Sequence, residues 1–109
     1  DKASYGGKVN LLVDEFSGST AEVFAGGLQA SGRALVVGSN TAGAVLPSLI
    51  LVLPTGAALQ QVVSNFQTPN GTVLEGRGVI PDITVQPSRA GLLAGKDAAL
   101  DRAIELIRE

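Results

Sequence analysis

An α/β domain is the fold class predicted for this 109-residue chain, and three observations predict it. Two short apolar runs, residues 9–13 and 34–38, flank a segment of helical periodicity at 19–31. Strand, helix and strand within about 30 residues form a βαβ unit, with a right-handed crossover by strong steric preference. Two further apolar runs, 49–53 and 59–66, are separated by the turn signal Pro54-Thr55-Gly56 and read as a hairpin. A closing amphipathic segment, 97–108, places Leu100, Ala103, Ile104 and Ile107 on one helical face.

Each element has a local reason. Residues 1–8 read as an entry loop. The 9–13 strand is nearly all apolar, as suits a parallel strand buried on both faces. In the first helix Ala21, Phe24, Ala25 and Leu28 recur at i, i+3, i+4 and i+7 and form one stripe. Gly32 is its expected stop. Gly26 and Gly27 each cost about 1 kcal/mol relative to Ala inside a helix, which is tolerable where the helix backbone packs closely on a sheet. Residues 40–47 form a loop, Pro69-Asn70-Gly71 a turn, 73–75 a short extended piece and 76–82 a second loop. A last short strand at 83–85 ends before Pro87.

Composition narrows the function. With no Met, Trp or Cys and three Phe, the core must come from Val, Leu, Ile, Ala and those aromatics. A net charge of −2 without a basic cluster argues against nucleic acid as a partner. Zero cysteines exclude disulfides and thiolate metal sites. With zero histidines as well, no metal site and no cofactor are expected. The most apolar window, 42–59, is broken by Pro47, Ser48, Pro54 and Gly56, so no membrane span is expected. No secretory leader pattern follows Asp1. Mean hydropathy is nonetheless positive, +0.31 with 17% charged residues. Some apolar surface is therefore expected to be covered by something outside this chain, or to drive self-association when left bare.

The chemistry-bearing position is Ser19. It follows an apolar strand and a short polar turn and opens a helix, where unpaired N–H groups and the helix dipole favour developing negative charge. Strand, tight turn, serine and helix is an arrangement that serine nucleophiles use. The competing structural reading is a cap: Ser19-Thr20-Ala21-Glu22 fits the S/T-x-x-E capping box, with Glu22 folding back on the cap N–H. Magnitudes show what catalysis would need. A helix N-terminus supplies about 0.3–1 kcal/mol, up to roughly 2 when buried. A positioned general base is worth about 10²–10⁴ in rate. A working Ser19 therefore needs a base. The lysines are Lys2, Lys8 and Lys96, and none is expected in a loop beside Ser19.

Four stretches carry a family resemblance. Val13-Asp14-x-x-Ser17-Gly18-Ser19-x-Ala21-Glu22 resembles the S-A-S-A-S-E segment of the C-terminal processing, or tail-specific, serine peptidases. Residues 32–38 followed by Thr41-Ala42-Gly43 resemble their G-R-A-x-x-V-G-x-x-T-x-G stretch. Thr68-Pro69-Asn70-Gly71 and then Gly78-Val79-Ile80-Pro81-Asp82-Ile83-Thr84-Val85 resemble the closing T-P-x-G and G-I-x-P-D-I-x-V motifs, and residues 95–106 resemble the terminal helix.

The resemblance implies a ClpP/crotonase-like α/β core, of which residues 1–109 would be the C-terminal portion of the catalytic domain, without its N-terminal half or any PDZ module. It implies hydrolysis of polypeptide, in unfolded or C-terminal segments, through an acyl-enzyme on Ser19, in an extracytoplasmic compartment. The Ser-Lys branch carries lysine directly after T-x-G, and Ala44 stands there instead. The tricorn-like branch uses serine, histidine, an auxiliary serine and a glutamate before G-V-x-P-D. Glu75, before Gly76-Arg77-Gly78-Val79-Ile80-Pro81-Asp82, matches that glutamate and becomes the candidate orienting carboxylate; its plainer reading is an exposed loop charge. The Thr20 N–H would be the local oxyanion donor. Gly43, Ala44 and Val45 would border a substrate cleft suited to an uncharged side chain, or form a plain surface turn. The base would come from the missing part, leaving the isolated chain inactive. The alternative function is a non-catalytic ligand- or peptide-binding module on the same fold, as in the interphotoreceptor retinoid-binding proteins that resemble these peptidases. A scaffold domain that keeps the motifs as caps and turns is a third.

Overall fold

Val36 and Val37 are fully buried, and the molecule is layered around them. They belong to β2 (Leu35–Gly38), the middle strand of a parallel three-stranded sheet of order β1-β2-β5, in the computed structural model, which describes residues 4–109. β1 (Asn10–Val13) lies on one side, with Asn10 opposite Leu35 and Val13 opposite Gly38. β5 (Ile83–Thr84) lies on the other, with Ile83 opposite Val37. The burial on both faces expected of the 9–13 run is found in the middle strand instead. β1 is an edge, and Leu12 stays 46% exposed.

One face of the sheet is covered by α1 (Thr20–Ala30) and by the 66–79 segment. The core cluster is Ala25, Val36, Val45, Leu74 and Val79, with Leu11, Val13, Val23 and Phe66 packed against it. α3 (Ala98–Arg108) covers the other face. It is capped by Asp97, which accepts the Leu100 N–H, and is tied to β1 where Asn10 Nδ2 donates to the Ala103 carbonyl at 2.8 Å. Asp82 fastens the third strand: its carboxylate accepts the Val36 N–H at 2.7 Å, taking the place of a ladder carbonyl where β5 is too short to supply one. A five-residue helix, α2 (Arg89–Leu93), capped by Ser88, has no counterpart among the expected elements.

β3 (Ser48–Val52) and β4 (Ala58–Val62) form the expected antiparallel hairpin, with Ser48 opposite Val62 and Leu51 opposite Leu59. β4 stops at Val62, four residues before the expected end. Nearly every hairpin residue is exposed, including Ile50 at 71% and Val52 at 78%. The hairpin projects from the layered part, and the radius of gyration is 17.0 Å, against about 13 Å for a compact chain of this length.

The inward face of α1 differs from the expected stripe. Glu22, Ala25 and Gly26 are buried, whereas Ala21 and Phe24 face out, Phe24 at 59% exposure. The helix has turned because a carboxylate, not an aromatic ring, occupies its inward position at the first turn. Gly26 does need to be glycine: a Cβ there would sit 2.8 Å from Leu74 Cδ1. The close approach is to the 66–79 segment and not to the sheet, and Gly27 meets nothing within 4 Å.

Candidate active site

The chain leaves β1 through a turn organised by Asp14. Its Oδ1 accepts the Phe16 N–H at 3.0 Å, the Ser17 N–H at 2.9 Å and the Ser17 hydroxyl at 2.9 Å. An aspartate directs its own downstream backbone in this way. Ser17 is thereby spent on the turn. Two residues later Ser19 adopts φ 56°, ψ −126°, and among the described residues no other non-glycine has positive φ. Such a backbone costs about 1–3 kcal/mol and survives only where its surroundings impose it.

The surroundings are specific. The Ser19 N–H points between two acceptors, the Ala44 carbonyl at 2.9 Å and Glu22 Oε2 at 3.0 Å. The Ala42 N–H donates to the Ser17 carbonyl at 3.0 Å, so residues 42–44 are laced alongside 17–19. The capping box is realised by its carboxylate. The Ser19 side chain approaches the third helical amide, but the Glu22 N–H is taken by the Ser19 carbonyl at 2.9 Å, and the hydroxyl makes no capping hydrogen bond. Ser19 is exposed, and the Thr20 N–H has no hydrogen-bond partner among the described residues.

Glu22 itself is completely buried. Its Oε1 accepts the Thr41 hydroxyl and the Gly43 N–H at 2.6 Å; its Oε2 accepts the Ala44 N–H at 2.9 Å as well as the Ser19 N–H. Thr41 Oγ1 in turn accepts the Val79 N–H at 2.7 Å. Burial pushes the Glu22 carboxyl up, but the hydrogen bonds from Thr41, Ala44, Gly43 and Ser19 outweigh it and hold the group below its ordinary value. The sequence expectation gave Glu22 a share in one cap. Its role as the hub of the 41–44 loop was legible only as an acidic residue in register with Ala25 and Gly26.

On the far side of that loop Glu75 Oε2 accepts the Val45 N–H at 2.8 Å, and the Gly76 N–H donates to the Gly43 carbonyl at 2.8 Å. Gly43 has φ 73°, and a Cβ on it would lie 2.9 Å from the Gly78 amide nitrogen. Residues 43–45 are thus held from both sides. Ser19, Ala44 and Glu75 line one open groove of about 380 Å³, with Leu46, Ser48, Gln60 and Val62. Gly43 is buried behind it, and Val45, 3% exposed, belongs to the core. The hairpin supplies the outer wall, where Gln60 Nε2 donates to Ser48 Oγ at 2.7 Å.

Lys8 and Lys96 line two other cavities, of about 520 and 390 Å³, neither of which contains Ser19 or Glu75; Lys2 lies outside the described residues. Among the described residues no cluster of His, Cys, Asp or Glu could hold a metal ion, and no helix is long and apolar enough to cross a membrane. The groove can therefore present a hydroxyl, a neighbouring N–H and a carboxylate with one oxygen committed to Val45.

Comparison with known proteins bears on this arrangement. The sequence profile described as Peptidase family S41 matches residues 1–85. A carboxyl-terminal-processing protease of Picosynechococcus is 35% identical over 81 residues, covering 74% of this chain and 20% of the relative. A carboxy-terminal-processing protease of Bartonella bacilliformis is 32% identical over 90 residues, covering 83% and 21%. Among solved structures, the tricorn protease superposes with a TM-score of 0.84 at 30% identity, over 94% of this chain and 10% of that one. The photosystem II D1 C-terminal processing protease superposes with a TM-score of 0.66 at 32% identity, over 84% and 26%. The chain spans about a fifth of the length of the curated relatives it matches.

Proposed function

The chain belongs to peptidase family S41, and from that membership we propose that it carries the nucleophile of a serine endopeptidase acting on unfolded or C-terminal polypeptide segments. Ser19 Oγ attacks the scissile carbonyl carbon and passes its proton to a base. The C–N bond breaks as the leaving amine takes a proton, and water then hydrolyses the ester on Ser19. The Thr20 N–H, next to the nucleophile at the start of α1, donates to the oxyanion. Glu75 orients the base, which lies in a part of the parent protein outside residues 1–109. These residues form the C-terminal portion of its catalytic domain, and Ala44 borders the cleft. The parent works outside the cytoplasm.

The observation that carries this reading is the Ser19 backbone. A serine that served only as a cap would sit in extended conformation with its oxygen on an amide. Ser19 is instead held at positive φ and is exposed, its oxygen near the Glu22 N–H but making no capping hydrogen bond. The test is the full-length parent with and without Ser19→Ala, assayed on casein and labelled with a fluorophosphonate. Labelling and turnover are expected in the parent and absent from Ser19→Ala, with unchanged melting. Residual turnover in Ser19→Ala ends the assignment.

One feature favours a second reading, a binding module. Ala44 stands where one branch of the family carries its lysine, and the groove wall includes Leu46 and Val62. Saturable binding of a peptide by a parent that never labels would support it.

A further inference from the structure

Two backbones run side by side at the groove, and both end on one carboxylate. The elbow contributes the Ser19 N–H, and the facing loop contributes the Gly43 and Ala44 N–H groups. The Ser19 N–H also reaches the Ala44 carbonyl. The nucleophile turn and the cleft wall are thus joined twice, once directly and once through Glu22. We propose that Glu22 is a positioning residue for the reaction proposed above: its carboxylate holds Ser19 in its strained backbone and, at the same time, sets Ala44 against it. This rests on the reading of Ser19 as nucleophile.

The chemistry of the donors supports the role. A carboxylate is acceptor-only, with lone pairs on both oxygens, and so suits a nest of one hydroxyl and three amides. Completely buried, it is worth keeping only where those donors converge. A plain cap needs one amide. The other three bonds lead to residues 41, 43 and 44, so they fix the distance between loop and helix. Glutamine tests the logic finely. Thr41 Oγ1 can accept a glutamine NH₂, so the amide oxygen can stay on Ser19 and Ala44, leaving the Gly43 N–H unpaired and the Thr41 hydroxyl proton without its present acceptor. Leucine has the bulk and none of the acceptors.

The experiment compares Glu22→Leu, Glu22→Gln and Thr41→Val in the full-length protein. Thr41→Val is the control: it strands the buried Val79 N–H and destabilises the loop while leaving the carboxylate on Ser19, Gly43 and Ala44. Fluorophosphonate labelling of Ser19 is expected to slow about 100-fold in Glu22→Leu, the scale of a misplacement near 1 Å. It should stay within about tenfold of the parent in Glu22→Gln and Thr41→Val. Amide proton resonances provide a readout independent of activity. Those of Ser19, Gly43 and Ala44 should move upfield in Glu22→Leu, and only that of Gly43 in Glu22→Gln. Unmoved amides in the variants, or labelling lost equally in Thr41→Val and Glu22→Leu at matched melting temperatures, overturn the proposal. If Glu22→Leu does not fold, Glu22→Gln decides: a full loss of labelling with Ser19 and Ala44 unmoved overturns it. Amides that respond as expected in a parent whose Ser19 never labels leave the clamp standing and remove the nucleophile.

Discussion

The elbow at Ser19 and the β3–β4 hairpin face each other across one groove, yet they are held by opposite means. Around the elbow, Glu22, Thr41 and Val79 are buried and their polar groups are paired: carboxylate to hydroxyl, hydroxyl to amide, carboxylate to amide. The hairpin has its ladder and little else, with Leu49, Ile50, Val52 and Val63 all more than half exposed. An isolated two-stranded hairpin is marginal in water, whereas a satisfied buried polar network specifies a single arrangement. The elbow is fixed by buried hydrogen bonds to residues 41–44, whereas the hairpin rests on its own ladder. The division places the strained Ser19 backbone on the side held by buried hydrogen bonds and the exposed hairpin on the other.

The sharpest way to break that contrast is Glu22→Leu. It leaves the Gly43, Ala44 and Thr41 donors without their acceptor, at about 1–3 kcal/mol for each buried group. A loss of at least about 3 kcal/mol is expected in urea unfolding. A loss below 1 kcal/mol would show that the network is dispensable. Acid makes the same point. Glu22 binds its proton more weakly folded than unfolded, so its contribution is complete above the ordinary carboxyl value of 4.5 and disappears as pH falls through the lower folded value. Wild type should lose more stability than Glu22→Gln between pH 6 and pH 3, and equal losses would contradict the assigned direction.

A pair of glycine substitutions compares the two regions directly. Gly43 and Gly56 both have positive φ, 73° and 84°. A Cβ on Gly43 meets the Gly78 amide at 2.9 Å, while one on Gly56 meets nothing within 4 Å. Gly56→Ala should cost only the left-handed penalty of about 1–2 kcal/mol. Gly43→Ala should cost that plus overpacking of about 1–3 kcal/mol. Thermal melts of the two proteins would expose any reversal.

Smaller still is Ser19→Gly. Glycine tolerates the φ and ψ that serine is forced into, and the hydroxyl caps nothing, so stability should rise by up to about 1 kcal/mol while fluorophosphonate labelling vanishes. A fall in stability comparable to a lost cap, about 0.5–2 kcal/mol, would restore the capping role. The smallest effect on folding is expected in the hairpin. Ile50→Lys with Val52→Lys changes two exposed side chains and should stay within about 0.5 kcal/mol per site. Sedimentation at high concentration should show less self-association than wild type. A large unfolding penalty would mean that the hairpin is better anchored than its exposure suggests.

Much of this was written locally. Val9 through Val13, the turn at Pro54-Thr55-Gly56 and the Leu100, Ala103, Ile104 and Ile107 stripe announce β1, the hairpin and α3, because period and turn chemistry depend only on near neighbours. Ser19 and Glu75 are likewise readable as candidates from short motifs, and the structure puts both on one groove. α2 is too short for periodicity to reveal, and Ser88 as its cap is the only local sign. The inward face of α1 was not readable either. Ala21, Phe24, Ala25 and Leu28 are the more apolar set, but Glu22, Ala25 and Gly26 are the buried one. The choice depends on donors at residues 41–44, which lie about 20 residues away and become neighbours only when β2 pairs with β1. Which elements exist, and where a hydroxyl meets a helix start, follows from the order of residues. That Ser19 takes a positive φ, that Glu22 turns inward and that Val45 leaves the cleft for the core are tertiary decisions. Each is set by where a buried hydrogen-bond donor or an apolar surface finds its partner, and those partners are remote in the chain.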